Sequence, residues 1–380
     1  MKLELNSIVE SIPEALSIYI NQIVYNKKSK GERVYTYSLG EAFFNIPRFD
    51  ISDEDWNKGY HYSSSMGQLS LRKKISEMYR DNYNSLTNPN TEILISAGSK
   101  PIIFMIFQTI LSANDEVIVP EPAWLSYKEQ IKLAGGVHVS VPYIKDVYEW
   151  EKYITPKTKA IVINNPNNPS GQLYSKKELT YLVNLARKNN FFIISDEAYS
   201  DFLFGNDKFI SLAQIDKTKE NSIIVNSLSK NMGMSGWRVG YAIAHEKIIK
   251  QLLKINQHLI TCAPTVLQDY MAKNFDKILE HTRPQAIAMA EKRKKVSKIL
   301  EKIGINSLKG VGTFYFLLDV STYKGNTEQL VEKLLLEHNI ATVSGIAYGE
   351  STKDFIRFGI GVESLEDISK SLKIIKSFLV

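Results

Sequence analysis

One cysteine in 380 residues, Cys262, excludes an intramolecular disulfide and any cysteine-rich zinc site. No metal-binding cluster is read elsewhere. Long apolar runs are also missing. The longest, such as residues 102–107, fall far short of the roughly twenty residues needed to cross a bilayer. The opening MKLELNSIVESIPEAL alternates charged and apolar positions without an uninterrupted apolar stretch, which predicts no secretory leader, no membrane partner and a cytoplasmic location. Charge is not concentrated in one sign. The net +6 arises from 47 basic and 41 acidic residues that are interspersed. The densest basic cluster, residues 291–295, sits in a helical pattern with Ala286, Ala288, Ala290 and Val296. It reads as a solvated helix face, so no nucleic-acid partner is expected. Small anions would still be favoured near such a surface. Internal repeats and low-complexity linkers are absent.

What remains is an ordinary globular composition, 44% hydrophobic and 23% charged, on a chain longer than a single core supports. Two domains around one site are expected. Residues 1–30 read as an amphipathic helical arm, with Ile8, Ile12, Leu16, Ile20, Ile23 and Val24 at helical spacing and Pro13 in the first turn. Residues 34–39 alternate as a strand, 42–55 read as loop, and Ser52-Asp53-Glu54 signals a helix start. Residues 60–67 have no period and are rich in turn formers, and 69–83 return to helix.

From residue 93 the pattern becomes β/α. Strands at 93–96, 116–119, 137–141, 160–164, 191–195, 223–225 and 239–244 alternate with helices at 102–111, 125–134 and 176–188. Short apolar strands alternating with helices predict an α/β fold, a mainly parallel seven-stranded sheet between helices. Beyond about residue 246 the chain is mostly helical and closes with strands at 313–319 and 355–360 and helices at 328–338 and 365–378. The expected division is an arm and part of a smaller α+β domain over 1–45, a large domain over 46–275, and the small domain over 276–380.

The stretch 222–244, SIIVNSLSKNMGMSGWRVGYAIA, combines a buried strand, a turn with Ser227, Ser229 and Lys230, and a Gly-rich loop before Arg238. A lysine that reacts as an amine needs desolvation or a nearby cation to lower its pKa, and an arginine eight residues on suits a bound anion. A surface lysine at a strand end would carry the same letters. In open parallel sheets ligands gather at the carboxyl ends of strands, so the residues following each strand are the test. Gly98-Ser99-Lys100 precedes a helix and could cradle phosphate, or could be a plain turn. Residues 165–171, NPNNPSG, form a rigid loop able to present an amide. Asp196 ends an apolar strand, where a carboxylate calls for a cation such as a protonated ring nitrogen, with Tyr199 three residues on; a helix cap is the alternative. Trp124 could stack on a flat ring or pack as core.

Taken in order, SAGSKP (96–101), EPAW (121–124), NPNNPSG (165–171), SDEAY (195–199), SLSKNMGMSGWRVGYA (227–242) and FIRFGIG (355–361) resemble the class I aminotransferases. These are fold-type-I pyridoxal-phosphate enzymes of the aspartate aminotransferase kind. The resemblance runs from YSLGE at 37–41 to the last helix. It implies pyridoxal 5′-phosphate as cofactor, linked covalently to Lys230, which also shuttles the proton. Asp196 would pair with the pyridinium nitrogen, Tyr199 and Asn168 with the ring oxygen, and Trp124 with the ring face. Ser227, Arg238 and the backbone of Ser99 and Lys100 would take the phosphate, joined by Tyr62 of a neighbouring subunit, which implies a homodimer with shared sites. Arg357 and the backbone of Gly40 would grip the substrate carboxylate, with Asn168 and Trp124 also facing the substrate.

The resemblance further implies ping-pong transfer of an amino group between an L-amino acid and a 2-oxo acid. A cysteine-S-conjugate β-lyase and a non-catalytic cofactor-binding regulator are the alternatives. Two segments depart from the family pattern, residues 42–47 and 63–66. Phe43, Phe44, Met66 and Met105 could favour apolar or aromatic side chains in the substrate, or could be packing.

Overall fold

Strands that are apolar at nearly every position must be covered on both faces, and this requirement organises the molecule. The computed structural model describes residues 4–204 and 207–379. After a short β1 (Tyr35–Thr36) come β2 (Ile93–Ser96), β3 (Glu116–Pro120), β4 (Val137–Val141), β5 (Thr158–Asn164), β6 (Phe192–Asp196), β7 (Ser222–Ser227) and β8 (Gly240–Ile243). The last seven form one sheet in the order β2-β8-β7-β6-β5-β3-β4. Only β8 runs against its neighbours; the remaining pairings are parallel.

Successive side chains on a strand face opposite ways, and the core divides accordingly. Ile93, Ile95, Ile161, Ile163, Ile193 and Ile224 pack on one face with the helices Leu69–Tyr83 and Lys176–Asn189. Leu94, Val117, Val119, Val162, Ile194 and Val225 pack on the other with Ser99–Ile110, Ser126–Leu133 and Glu246–Leu259. Each fully buried aliphatic side chain contributes on the order of 2 kcal/mol.

A second core surrounds β9 (Tyr315–Asp319), β10 (Ile340–Ala341), β11 (Val343–Ser344) and β12 (Phe355–Gly359). β12 pairs antiparallel with β9 and β11, while β10 pairs parallel with β1. The helix Thr265–Ile303 serves both cores: residues through Leu279 belong to the first and those from Ala286 onward to the second, with Pro284 between.

Three expectations are corrected. The arm is not one helix. Its first three residues lie outside the described residues, and the rest forms helices Ser7–Glu10 and Leu16–Ser29, with Pro13 in the break between them. The residue before a proline avoids the helical region, so the periodic pattern is interrupted there. The strand expected at 34–39 pairs over Tyr35–Thr36 alone. The basic cluster at 291–295 is not a uniformly solvated face, because Arg293 points into the second core and is 4% exposed.

Candidate active site

Parallel strands deliver their carboxyl ends to one edge, and the chain uses that edge repeatedly. β5 ends at Asn164, β6 at Asp196 and β7 at Ser227, while β2 leads through Gly98 into the helix that begins at Ser99. Together with β9, β12 and the Leu16–Ser29 helix they enclose a cavity of about 310 Å³. Its lining includes Gly40, Ser99, Lys100, Trp124, Asn168, Asp196, Tyr199, Ser227, Lys230, Arg238 and Arg357. Of the residues expected at the site, Tyr62 stands apart. It is 87% exposed, on a segment pinned by the Thr265 hydroxyl to the His61 carbonyl (2.9 Å) and to Ser63 Oγ (3.0 Å).

The floor is a carboxylate without a cation. Asp196 is buried, accepts from the Tyr127 hydroxyl at 2.7 Å and from the Ala198 N–H at 3.2 Å, and makes no ion pair with any described residue. Burial raises its pKa, and the Tyr127 hydrogen bond offsets part of that rise. The Asn164 amide donates to the Asp196 carbonyl at 2.8 Å and accepts from the Asn168 N–H at 2.6 Å, which locks the rigid 165–171 loop to the strand end.

Above the floor, Lys230 donates to the Gly40 carbonyl. Burial lowers its pKa to about 8; Glu41 opposes that shift, and Arg357 and Arg238 reinforce it. An amine near 8 has an appreciable uncharged fraction at mildly alkaline pH, and the uncharged form is the one that attacks as a nucleophile.

One end of the cavity is built for an anion. Gly98 has φ 95°, and a Cβ there would lie 2.6 Å from Arg238 Nη2. Gly240 allows the equally close approach of Ser99, whose backbone N would lie 2.5 Å from a Cβ at position 240. Only glycine fits at both positions, so the helix N-terminus and the guanidinium converge. Lys100 stands at the open side, its ammonium 5.1 Å over the Trp124 ring.

At the other end lies Arg357, 4% exposed. Nη2 donates to the Ser38 carbonyl at 2.6 Å and Nη1 to Asn168 Oδ1 at 3.4 Å, while the guanidinium lies over Tyr315 (4.6 Å) and Tyr348 (5.3 Å). Its Nε has no hydrogen-bond partner among the described residues.

These groups suit a flat ring with a basic nitrogen at the accepting carboxylate of Asp196, a carbonyl at Lys230 and a dianionic tail at the donors of Ser99 and Arg238. Among the described residues no group of His, Cys, Asp and Glu is arranged to hold a metal ion.

Sequence reasoning missed Tyr127, Tyr315, and Ser17, Ile18 and Asn21 of the arm. Tyr127 sits one helical turn beyond Trp124, a spacing that would have put both on one face. Tyr315 reads as strand core, and nothing local marks the arm residues. Conversely, Phe43, Phe44, Met66 and Met105 do not line the cavity. Phe43 is exposed, Phe44 stacks on Phe202, and Met66 and Met105 pack in the sheet core.

The chain is also similar to known proteins along most of its length. The family model described as aminotransferase class I and II matches residues 52–370. An aspartate aminotransferase of Bacillus sp. (strain YM-2) is 33% identical, with 97% of each chain covered. Aromatic-amino-acid aminotransferase 2 of Thermococcus litoralis is 31% identical, covering 88% of this chain and 90% of its own. Among solved structures, the aspartate aminotransferase from Thermus thermophilus with maleate is similar at a TM-score of 0.89 and 27% identity, with both chains fully covered.

Proposed function

The chain belongs to the class I and II aminotransferases, and from that premise we propose that pyridoxal 5′-phosphate is held by Lys230 at the centre of the cavity. The observation that carries the reading is a desolvated amine facing a buried, unpaired carboxylate. When bound, the cofactor supplies an aldehyde that captures amino groups and a ring that takes up the electron pair released at the substrate α-carbon. Asp196 keeps the ring nitrogen protonated, and Tyr127 keeps Asp196 ionised. Tyr199 and Asn168 orient the ring, and Trp124 covers its face. Ser99, the Lys100 backbone, Ser227 and Arg238 take the phosphate, the guanidinium as a two-pronged donor. Arg357 binds the substrate carboxylate, and Lys230 moves the proton at the α-carbon.

For the amino acid, we propose a substrate with a second carboxylate. The Lys100 ammonium pairs with no described carboxylate, and similar proteins are named aspartate aminotransferases. An aromatic substrate is the second reading, supported by Trp124 and Ile18 in the wall and by the relative named for aromatic amino acids. We further infer a cytoplasmic homodimer in which the exposed Tyr62 completes the partner's phosphate site.

Following visible absorbance while each amino acid is added singly, then each 2-oxo acid, tests the assignment. Loss of the starting band with an acidic amino acid and its return with 2-oxoglutarate is expected. Pyruvate release from a β-substituted amino acid without any oxo acid would instead identify a β-lyase.

A further inference from the structure

β9 contributes Tyr315 to the cavity wall, and this side chain touches both halves of the site. Its hydroxyl lies 3.0 Å from that of Tyr199, and either can donate. Its ring lies 4.6 Å beneath the Arg357 guanidinium. No other hydrogen-bond partner for the Tyr315 hydroxyl is present among the described residues.

The backbone that carries Tyr315 is fixed by a buried cation. Arg293 donates through Nη1 to the Tyr315 carbonyl and through Nη2 to the Gly310 carbonyl at 3.2 Å. Its guanidinium lies over Phe316 at 4.1 Å and Phe204 at 5.1 Å. No described carboxylate pairs with it, and burial alone lowers its pKa to about 9. An uncompensated buried charge is a costly way to fill a core, and an aliphatic side chain would pack as well. What the cation adds is a clamp on two carbonyls five residues apart. The segment between them is held further, because the Val311 and Gly312 N–H groups donate to the Gly171 carbonyl at 2.8 and 2.9 Å.

We propose that Tyr315 is a positioning residue for transamination, and that Arg293 is the strut that sets it. The proposal rests on the reading of Lys230 and Tyr199 given above. Tyr199 has one proton. When an acceptor occupies the cavity, the Tyr199 hydroxyl donates its hydrogen bond to that acceptor, and the Tyr315 hydroxyl donates one to the Tyr199 oxygen. Chained hydrogen bonds reinforce one another, so the donated bond makes Tyr199 the stronger donor. No proton leaves the pair, and no bond other than hydrogen bonds changes.

The test is the pH midpoint of the visible absorbance of the protein loaded with pyridoxal phosphate. Tyr199→Phe removes a donor that favours the deprotonated form and raises the midpoint. Tyr315→Phe should raise it in the same direction by a smaller amount, about 0.5 pH unit. Arg293→Met should follow Tyr315→Phe, and Arg293→Lys should recover at least half of the shift. Calorimetric binding of succinate to the unloaded protein should stay within about twofold in Tyr315→Phe, since the ring beneath Arg357 is kept. A Tyr315→Phe midpoint equal to wild type, beside a displaced Tyr199→Phe, overturns the proposal. If Arg293→Met does not fold, Tyr315→Phe decides alone. If the wild type takes up no pyridoxal phosphate, the reading of the site falls, and this proposal with it.

Discussion

Replacing Arg357 with methionine separates binding from stability. The guanidinium is 4% exposed and has no carboxylate partner among the described residues; its neighbours are the Ser38 carbonyl, the Asn168 amide and two tyrosine rings. Hydrogen bonds to charged groups contribute roughly 1.5–3 kcal/mol each, so loss of a two-pronged grip on a carboxylate removes about 3–6 kcal/mol. At about 1.4 kcal/mol per decade, kcat/KM should fall by roughly 10² to 10⁴. Folding should respond differently. Methionine fills much of the space and removes a desolvated charge, so the unloaded protein should keep or raise its urea midpoint. Arg357→Lys retains charge without the planar fork and should lie between the two in kcat/KM. Steady-state kinetics with the best amino acid donor, beside urea unfolding of the same preparations, supply both numbers. A kcat/KM within tenfold of wild type would refute the assignment. A large fall in urea midpoint would show Arg357 to be structural instead.

Other expectations follow from the same geometry. Lys230 titrates near 8 in the fold against about 10.4 in an unfolded chain, so between those values the unfolded state binds more protons. Stability of the unloaded protein should therefore rise with pH across about 8 to 10.4, by up to roughly 3 kcal/mol, and Lys230→Met should lose that slope in urea titrations. Tyr127→Phe removes the 2.7 Å hydrogen bond on Asp196, which should push that carboxyl further up and weaken retention of pyridoxal phosphate about tenfold in equilibrium dialysis. Gly98→Ala places a methyl against Arg238 at a φ of 95° and should weaken phosphate binding by at least as much, measured the same way.

Most of the sheet was legible because its strands largely repeat one rule, a short apolar run bounded by turn formers. The helix Leu69–Tyr83 was legible over its full length for the complementary reason, a clean helical period. Residues at strand ends were legible because parallel topology forces them to one edge; Asp196 closes its strand there, Lys230 lies in the short helix that follows β7, and Asn168 and Arg238 belong to the adjoining loops. Contributions from distant parts of the chain were not. Tyr315 alternates with core residues on β9, and Arg293 lies in a charged run whose burial depends on which helix face meets β9. Pro13 shows a local signal given too little weight, since the hydrophobic period continues across a proline that separates two helices.

The most direct test of the central claim is borohydride reduction of the protein purified with pyridoxal phosphate, followed by peptide mass mapping. The account predicts a single phosphopyridoxyl adduct on Lys230 and none in Lys230→Ala, which should also lack all transaminase turnover. A colourless protein, an adduct on another lysine such as Lys100, or turnover by Lys230→Ala would contradict it.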